Sequence, residues 1–132
     1  MNRRAFLFAS LAASTALSGV TGAARAASDI QVIYIGGQDC GGCQRWRANA
    51  QPRWLASNEI QKVSYYEIEP VTLKDAYDER SWPRGLRSVL AQIPSKLGTP
   101  RFLIVQDGKI VSNQLGVSAW TNTLADLRQF AV

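Results

Sequence analysis

Histidine is absent from this 132-residue chain, and cysteine occurs only twice, at Cys40 and Cys43. Without histidine, the chain lacks the commonest general base and the commonest metal ligand of proteins. Two thiolates with no histidine and no second cysteine pair fall short of the four ligands of a structural zinc site. We therefore expect no resident metal, and only Cu(I), which accepts two soft ligands, stays open as a bound ion.

The first 26 residues have the three parts of a secretory signal. Arg3-Arg4 gives a basic start, an apolar run of small residues continues to Val20, and Ala24-Arg25-Ala26 is an A-x-A cleavage site. A membrane anchor is disfavoured because polar residues interrupt a stretch that is already short for a bilayer. The arginine pair suits twin-arginine export as well as general secretion. We expect cleavage after Ala26, export to a bacterial periplasm and a mature domain over residues 27–132.

No block of basic residues with interleaved aromatic residues, the usual mark of a nucleic-acid-binding surface, occurs in the mature sequence. Cleavage would remove Arg3, Arg4 and Arg25, which leaves twelve basic residues against ten acidic ones and lowers the net charge from +5 to +2. We therefore expect no nucleic-acid partner. The mature length fits one domain with a single modest core, and we expect it to act as a monomer.

The first half of the mature chain predicts a strand, a helical segment and a second strand. Ile30–Ile35 is nearly continuous in apolar, β-branched residues, which is typical of a buried strand. From Cys43 to about Ser57 apolar residues recur at helical spacing, and Pro52 should bend or split the helix. Apolar residues from Ile60 to Ile68 predict the second strand.

The second half predicts a helical connection, two strands joined by a tight turn, and a last helix. Thr72 is a candidate N-cap, and Asp107-Gly108 is a strong signal for a two-residue hairpin turn. The predicted elements are helices at 73–82 and 86–93, strands at 101–105 and 109–112, and a helix after Ser118. The order βαβ then ββα predicts an α/β fold with a central four-stranded mixed sheet flanked by helices.

The segment Cys40-Gly41-Gly42-Cys43 lies where the first predicted strand gives way to a helix. The first sulfur then lies at a helix N-terminus, where free backbone N–H groups and the helix dipole stabilise a thiolate. A thiolate is the attacking species in thiol–disulfide exchange. A structural disulfide is the alternative, but so short a loop contributes only about 2 kcal/mol. The pattern favours redox chemistry, with Cys40 as the exposed nucleophile and Cys43 as the buried resolving thiol.

Three features together resemble the thioredoxin superfamily over essentially all of the mature sequence. Cys40-x-x-Cys43 follows the first strand, Thr99-Pro100 immediately precedes the third, and Gly108 turns the closing hairpin. The resemblance implies a thioredoxin-like fold in which a cis Thr99–Pro100 bond faces the cysteines. A substrate chain would lie along Thr99 and Pro100, and we expect Gly41 and Gly42 to line the same surface.

The function implied by this resemblance is that of an exported thiol–disulfide oxidoreductase without a cofactor. It would reduce disulfides of exported proteins and receive electrons from a membrane or periplasmic thiol donor. The Cys-x-x-Cys-x-x-Trp pattern through Trp46 is similar to small periplasmic thioredoxins of the SoxS type. The competing class is a non-enzymatic exported binding module, either a Cu(I) carrier or a docking domain with an inert disulfide.

Three positions depart from cytoplasmic thioredoxins. Asp39 stands where a tryptophan is usual, Gly42 where a proline is usual, and Tyr34 where the first strand usually carries a buried acid. The missing acid leaves open which group takes the proton of Cys43. Asp39 or a water molecule is the candidate.

The remaining aromatic and charged side chains are interpreted as structural. We expect Trp82, next to a proline, to be the most exposed tryptophan. Arg45 and Arg47 fit a solvated helix face, with a role in lowering the pKa of Cys40 as the alternative. Glu67 and Glu69 are placed on opposite faces of the second strand and are therefore not interpreted as an acid–base pair.

Overall fold

The fold is seen in a computed structural model that describes residues 29–130. The predicted signal segment, residues 1–26, lies outside the described residues. The strands and α-helices of the described part are β1 (Ile30–Ile35), α1 (Gly41–Asn49), α2 (Gln51–Leu55), β2 (Ser64–Ile68), α3 (Arg87–Gln92), β3 (Arg101–Gln106), β4 (Lys109–Leu115) and α4 (Ala119–Phe130).

The four strands form one mixed sheet in the order β2-β1-β3-β4. β1 pairs in parallel with β2 and antiparallel with β3, and β3 pairs antiparallel with β4. The hairpin turns at Asp107 and Gly108, whose φ angles of 50° and 81° are those that a tight two-residue turn requires. The predicted α/β class, the βαβ-then-ββα order and the four-stranded mixed sheet are confirmed.

The sheet separates two apolar clusters because side chains alternate between its faces. Tyr34 and Phe102 point to the face that carries α1 and α4, where both cysteines and three tryptophans are also buried. Ile33 and Leu103 point to the opposite face, which α3 covers. The cysteine pair therefore lies at the edge of an aromatic cluster, and not on the aliphatic side of the sheet.

Pro52 splits the predicted helical segment in two. It occupies the first turn of α2, where backbone N–H groups make no intrahelical hydrogen bond and a proline is tolerated. Ala50 separates α2 from α1. The second strand was predicted too long, since residues 59–62 form a 3₁₀ turn and β2 begins at Ser64.

The helix predicted over residues 73–82 is wrong. The chain makes two single 3₁₀ turns there, at Leu73–Asp75 and Glu79–Ser81. Thr72 does not cap a helix, because its hydroxyl donates to the Asp75 carboxylate at 2.8 Å. Asp78 accepts a hydrogen bond from the Arg80 amide and so starts a separate turn.

Trp82 is the second correction in this connection, since it is only 2 % exposed. Its indole N–H donates to the Ala76 carbonyl at 2.8 Å, and its ring belongs to the cluster under α3. The two short turns fold the ring under the sheet, which a continuous helix would not do. None of the helices within residues 29–130 combines the length and the apolar character that crossing a bilayer requires.

Candidate redox site

Cys40 and Cys43 are joined by a disulfide at the N-terminus of α1, with their Cα atoms 5.2 Å apart. Cys40 is the N-cap residue in an extended conformation, and its Sγ accepts a hydrogen bond from the Cys43 amide at 3.2 Å. Cys40 is 6 % exposed and Cys43 is fully buried. The sulfur that lies nearer the surface is therefore also the one that receives a backbone N–H at the helix start.

Thr99 and Pro100 lie directly against this pair. The Thr99 hydroxyl donates to Cys40 Sγ at 3.2 Å, and the Thr99–Pro100 peptide bond is cis. A Cβ added to Gly42 would stand 3.4 Å from Pro100 Cδ, whereas one added to Gly41 would meet no atom within 4 Å. The structure thus brings five of the residues predicted from the sequence, Cys40, Cys43, Thr99, Pro100 and Gly42, to one place, with Gly41 on the open side.

Arg101 holds the segment that carries Thr99, although it is only 5 % exposed. Its guanidinium donates to the carbonyls of Ser95 and Leu97, at 2.8 and 3.0 Å. It also donates to the Tyr77 hydroxyl at 2.8 Å and to Asn113 Oδ1 at 2.6 Å. One buried cation therefore ties the loop before Pro100 to β4 and to the connection after β2.

Exposed apolar side chains lie on the chain segments next to the cysteine pair. Val117 Cγ2 would stand 2.9 Å from a Cβ on Gly42, and the Leu73 amide donates to the carboxylate of Asp39, the residue before Cys40. Leu97, on the Thr99 segment, is 75 % exposed. These three residues form what we call the apolar rim, a surface suited to a partner chain.

Asp39 does not replace the buried acid. Its Oδ1 accepts the Leu73 amide at 2.6 Å, and the residue is exposed at the surface. The carboxylate therefore fixes the entry to the 3₁₀ turn at Leu73–Asp75, and is engaged away from the buried Cys43.

Glu67 and Glu69 share one face of the chain, which corrects their predicted placement. They are two residues apart, and the side chains of residues i and i+2 in extended chain point the same way. Arg47 of α1 binds both, with guanidinium nitrogens 2.7 Å from Glu67 Oε2 and 2.7 Å from Glu69 Oε1. Burial would lower the pKa of Arg47, but hydrogen bonds to Glu69 and Glu67 outweigh it and raise the pKa. Arg47 is therefore a bridge between α1 and β2, and not a solvated residue.

Tyr34 connects this charged group to the cysteines. The residue is fully buried, its ring stacks on Trp46 with 4.5 Å between centroids, and its hydroxyl donates to Glu69 Oε1 at 2.8 Å. Burial, and then the hydrogen bond to Glu69, raise the pKa of Tyr34 well above its usual value. The phenol therefore keeps its proton at neutral pH.

Sequence reasoning missed Arg101 and Glu69 as functional residues. An arginine within an otherwise apolar strand, directly after Thr99-Pro100, was the available signal for the first. The i, i+2 spacing of Glu67 and Glu69 was the signal for the second. For metals, the two sulfurs in their reduced form are the soft ligands that Cu(I) would use. Among the described residues no three His, Cys, Asp or Glu side chains come together as a metal site.

Comparison with solved structures gives matches to thioredoxins. The periplasmic thioredoxin SoxS of Paracoccus pantotrophus, in its reduced form, is 15% identical with a TM-score of 0.55, over 78% of this chain and 96% of that one. A Malassezia sympodialis thioredoxin gives 15% identity and a TM-score of 0.54, over 80% of each chain. A Fasciola hepatica thioredoxin gives 19% identity and 0.52, over 78% of this chain and 82% of that one. No protein-family model and no curated protein matches the sequence. At these identities the likeness concerns the fold: the chain has a thioredoxin-like fold with a Cys-x-x-Cys disulfide.

Proposed function

We propose that this chain is a thiol–disulfide oxidoreductase that reduces disulfides of exported partner proteins through Cys40 and Cys43. One observation carries the proposal. The disulfide lies at the start of α1, with the Cys43 amide and the Thr99 hydroxyl both donating to Cys40 Sγ. Two donors aimed at one sulfur favour its thiolate over its thiol. A disulfide that served only as a staple would not need them.

The first chemical step belongs to Cys40. In the reduced protein its thiolate attacks one sulfur of a partner disulfide, a new S–S bond joins Cys40 to the partner, and the other partner sulfur leaves as a thiolate. The donors from Cys43 and Thr99 lower the cost of the starting charge. The rigid placement of both donors on the backbone of α1 and on the anchored Thr99 segment keeps them in place between turnovers.

The second step belongs to Cys43. Its sulfur loses a proton, attacks Cys40 Sγ, and displaces the second partner sulfur as a thiolate, which leaves the Cys40–Cys43 disulfide seen here. Two electrons have then passed from the protein to the partner. An external dithiol must return them, and in an exported protein it would be a membrane or periplasmic thiol donor.

The partner would dock on the apolar rim formed by Leu73, Leu97 and Val117. These side chains are exposed although they are large and apolar, and they lie on three different segments of the chain. The backbone of Thr99, two residues after Leu97, would offer hydrogen-bonding groups to an extended partner chain. Gly41 leaves open space on the same side, so that a bulky partner can reach Cys40 Sγ.

Export is part of the proposal and is supported by the composition of residues 1–26. A periplasmic location also suits the chemistry, because partner disulfides persist outside the cytoplasm. Recovery from the periplasm of a bacterial host, as a chain that begins at Ala27, is the expected result. Recovery of the uncleaved chain from the cytoplasm alone would contradict it.

Turnover of a model protein disulfide in metal-free buffer tests the proposal against the copper-carrier alternative. The residues 29–130 hold no histidine, so Cu(I) would depend on both thiolates. We expect catalytic reduction of insulin disulfides by an added dithiol, with activity lost in Cys40→Ser and full activity retained after treatment with a copper chelator. Stoichiometric copper binding without turnover would support the carrier instead.

A further inference from the structure

We propose that Tyr34 and Glu69 form the proton relay that deprotonates Cys43 when it resolves the mixed disulfide, an inference that rests on the proposed function. The two residues come from different elements, Tyr34 from β1 and Glu69 from the position just after β2. They replace the single acid that is absent from β1.

Cys43 needs a proton acceptor close by because its sulfur is buried. Its side chain is fully buried in the aromatic cluster with Trp46 and Phe102. A thiolate is costly in such surroundings, so Cys43 remains a thiol until it attacks. The proton must then pass to a group within reach, because bulk water does not contact the sulfur.

The space beside Gly36 brings the Tyr34 hydroxyl close to Cys43 Sγ. A Cβ added to Gly36 would collide with the Tyr34 hydroxyl and would stand 2.9 Å from Cys43 Sγ. The hydroxyl and the sulfur therefore face the same small gap, which stays open only because residue 36 is a glycine.

The Tyr34 hydroxyl is suited to pass a proton but not to keep one. It already donates to Glu69 Oε1 at 2.8 Å, and its oxygen retains lone pairs that can accept from a thiol. Burial raises the pKa of the phenol, so that it does not ionise by itself. A proton that arrives from Cys43 therefore displaces the phenol proton onto the Glu69 carboxylate.

Glu69 completes the path to solvent. Its side chain keeps 14% of its surface exposed, so water can remove the proton after each turnover. The ionisable groups around Tyr34 come from two regions: Cys43 and Arg47 from α1, and Tyr65, Glu67 and Glu69 from β2 and the position after it. Arg47 holds the carboxylate in place, with one nitrogen 2.6 Å from Glu69 Oε2.

Proton transfer and sulfur attack occur in one sequence. The S–H bond of Cys43 breaks as its proton passes to the Tyr34 oxygen, and the phenol proton passes to Glu69. The Cys43 sulfur then forms a bond to Cys40 Sγ while the bond from Cys40 to the partner breaks. The partner sulfur leaves with the electron pair, and the tyrosine ends the step as it began.

The test separates the two thiol steps in a single turnover. Reduced protein is mixed in a stopped-flow instrument with one equivalent of dithiobis-nitrobenzoate, whose thiolate product absorbs visible light. Attack by Cys40 releases the first product at a rate that depends on reagent concentration. Attack by Cys43 releases the second at a rate that does not. The wild type should show both phases.

Tyr34→Phe should leave the first phase unchanged and slow the second at least about tenfold at neutral pH. This is a cautious bound, because general acid–base catalysis typically contributes roughly a hundredfold or more. Phenylalanine keeps the ring that stacks on Trp46, so the fold should survive. The deficit should shrink only well above the ordinary thiol pKa near 8.5, because burial shifts the unaided ionisation of Cys43 to higher pH. A purely structural role for Tyr34 would not produce that pH profile.

Glu69→Gln and Glu67→Gln form the matched pair. Both side chains bind Arg47, but only Glu69 accepts the Tyr34 hydroxyl. Glu69→Gln should slow the second phase with the same pH profile, and Glu67→Gln should leave it within about twofold of the wild type. Equal effects of the two substitutions would overturn the relay in favour of a general role of Arg47 pairing.

An unchanged second phase in Tyr34→Phe would overturn the relay outright. In that case a normal first phase and normal turnover would still leave the proposed reductase standing. Failure of the wild type to show any fast first phase would instead overturn the reductase proposal itself. The two failures are therefore read from different phases of one trace.

Discussion

Replacing Cys43 with serine should convert the protein into a covalent trap for its partners. Cys40 would still attack a partner disulfide, because its two hydrogen-bond donors, the Cys43 backbone amide and the Thr99 hydroxyl, are retained. Serine cannot displace the partner, so the mixed disulfide would persist. Expressed in a bacterial host, Cys43→Ser should yield adducts in the periplasmic fraction on non-reducing gels, and a reducing agent should release them.

The control is Cys40→Ser. Its remaining sulfur, on Cys43, is fully buried and should form few adducts or none. Adducts that accumulate on Cys40→Ser instead would reverse the assigned roles. No adducts from either variant, together with a wild-type disulfide that resists physiological thiols, would favour a structural disulfide. Adducts confined to cytoplasmic proteins would contradict the proposed export.

Arg101→Met should cause a large loss of stability. Methionine fills a similar volume but leaves the carbonyls of Ser95 and Leu97 without the donors they now have. The loss of four hydrogen bonds made by one buried guanidinium should cost about 3 kcal/mol. The freed segment carries Thr99, so disulfide exchange by Cys40 should slow as well. Urea unfolding at constant m-value measures the first effect.

Arg84→Met is the matched control, since Arg84 is exposed on the connection before α3. Its free energy of unfolding should stay within about 0.5 kcal/mol of the wild type. A loss for Arg101→Met no larger than this would show that the buried guanidinium does not anchor the segment. Normal exchange kinetics in a destabilised Arg101→Met protein would show that Arg101 stabilises the fold but does not position Thr99 for exchange.

The parts of the fold that follow from local patterns were predictable. β1 and β3 are central strands with both faces covered, so their nearly continuous apolar sequences identify them. Asp107-Gly108 identifies its own turn because few residue pairs accept positive φ twice. The position of Cys40 at a helix start followed from the change between these two kinds of pattern.

The connection after β2 was not predictable in the same way. Residues 73–82 contain helix formers and a candidate cap, but hydrogen bonds across the chain decide their conformation. The Leu73 amide binds Asp39, and the Trp82 indole binds the Ala76 carbonyl. Tertiary contacts of this kind override local helix propensity, and they also explain why Trp82 is buried.

Only some of the charged contacts in the site can be predicted from the sequence. Glu67 and Glu69 are two residues apart in extended chain, so strand geometry alone places them on one face and the predicted opposite placement is wrong. That Arg47 reaches both across from α1, and that Tyr34 reaches Glu69, depends on how α1 packs on the sheet. No sequence spacing specifies that packing.

The reduction potential of the Cys40–Cys43 pair decides whether the protein acts as a reductase. It is measured by equilibrating the protein with defined ratios of reduced and oxidised dithiothreitol or glutathione, then counting free thiols. If the pair acts as a reductase, its reduction potential should lie between about −270 and −180 mV. A value near −120 mV would reverse the proposed direction of electron flow. A value below about −300 mV without turnover is that of a structural disulfide and would contradict the proposed reductase function.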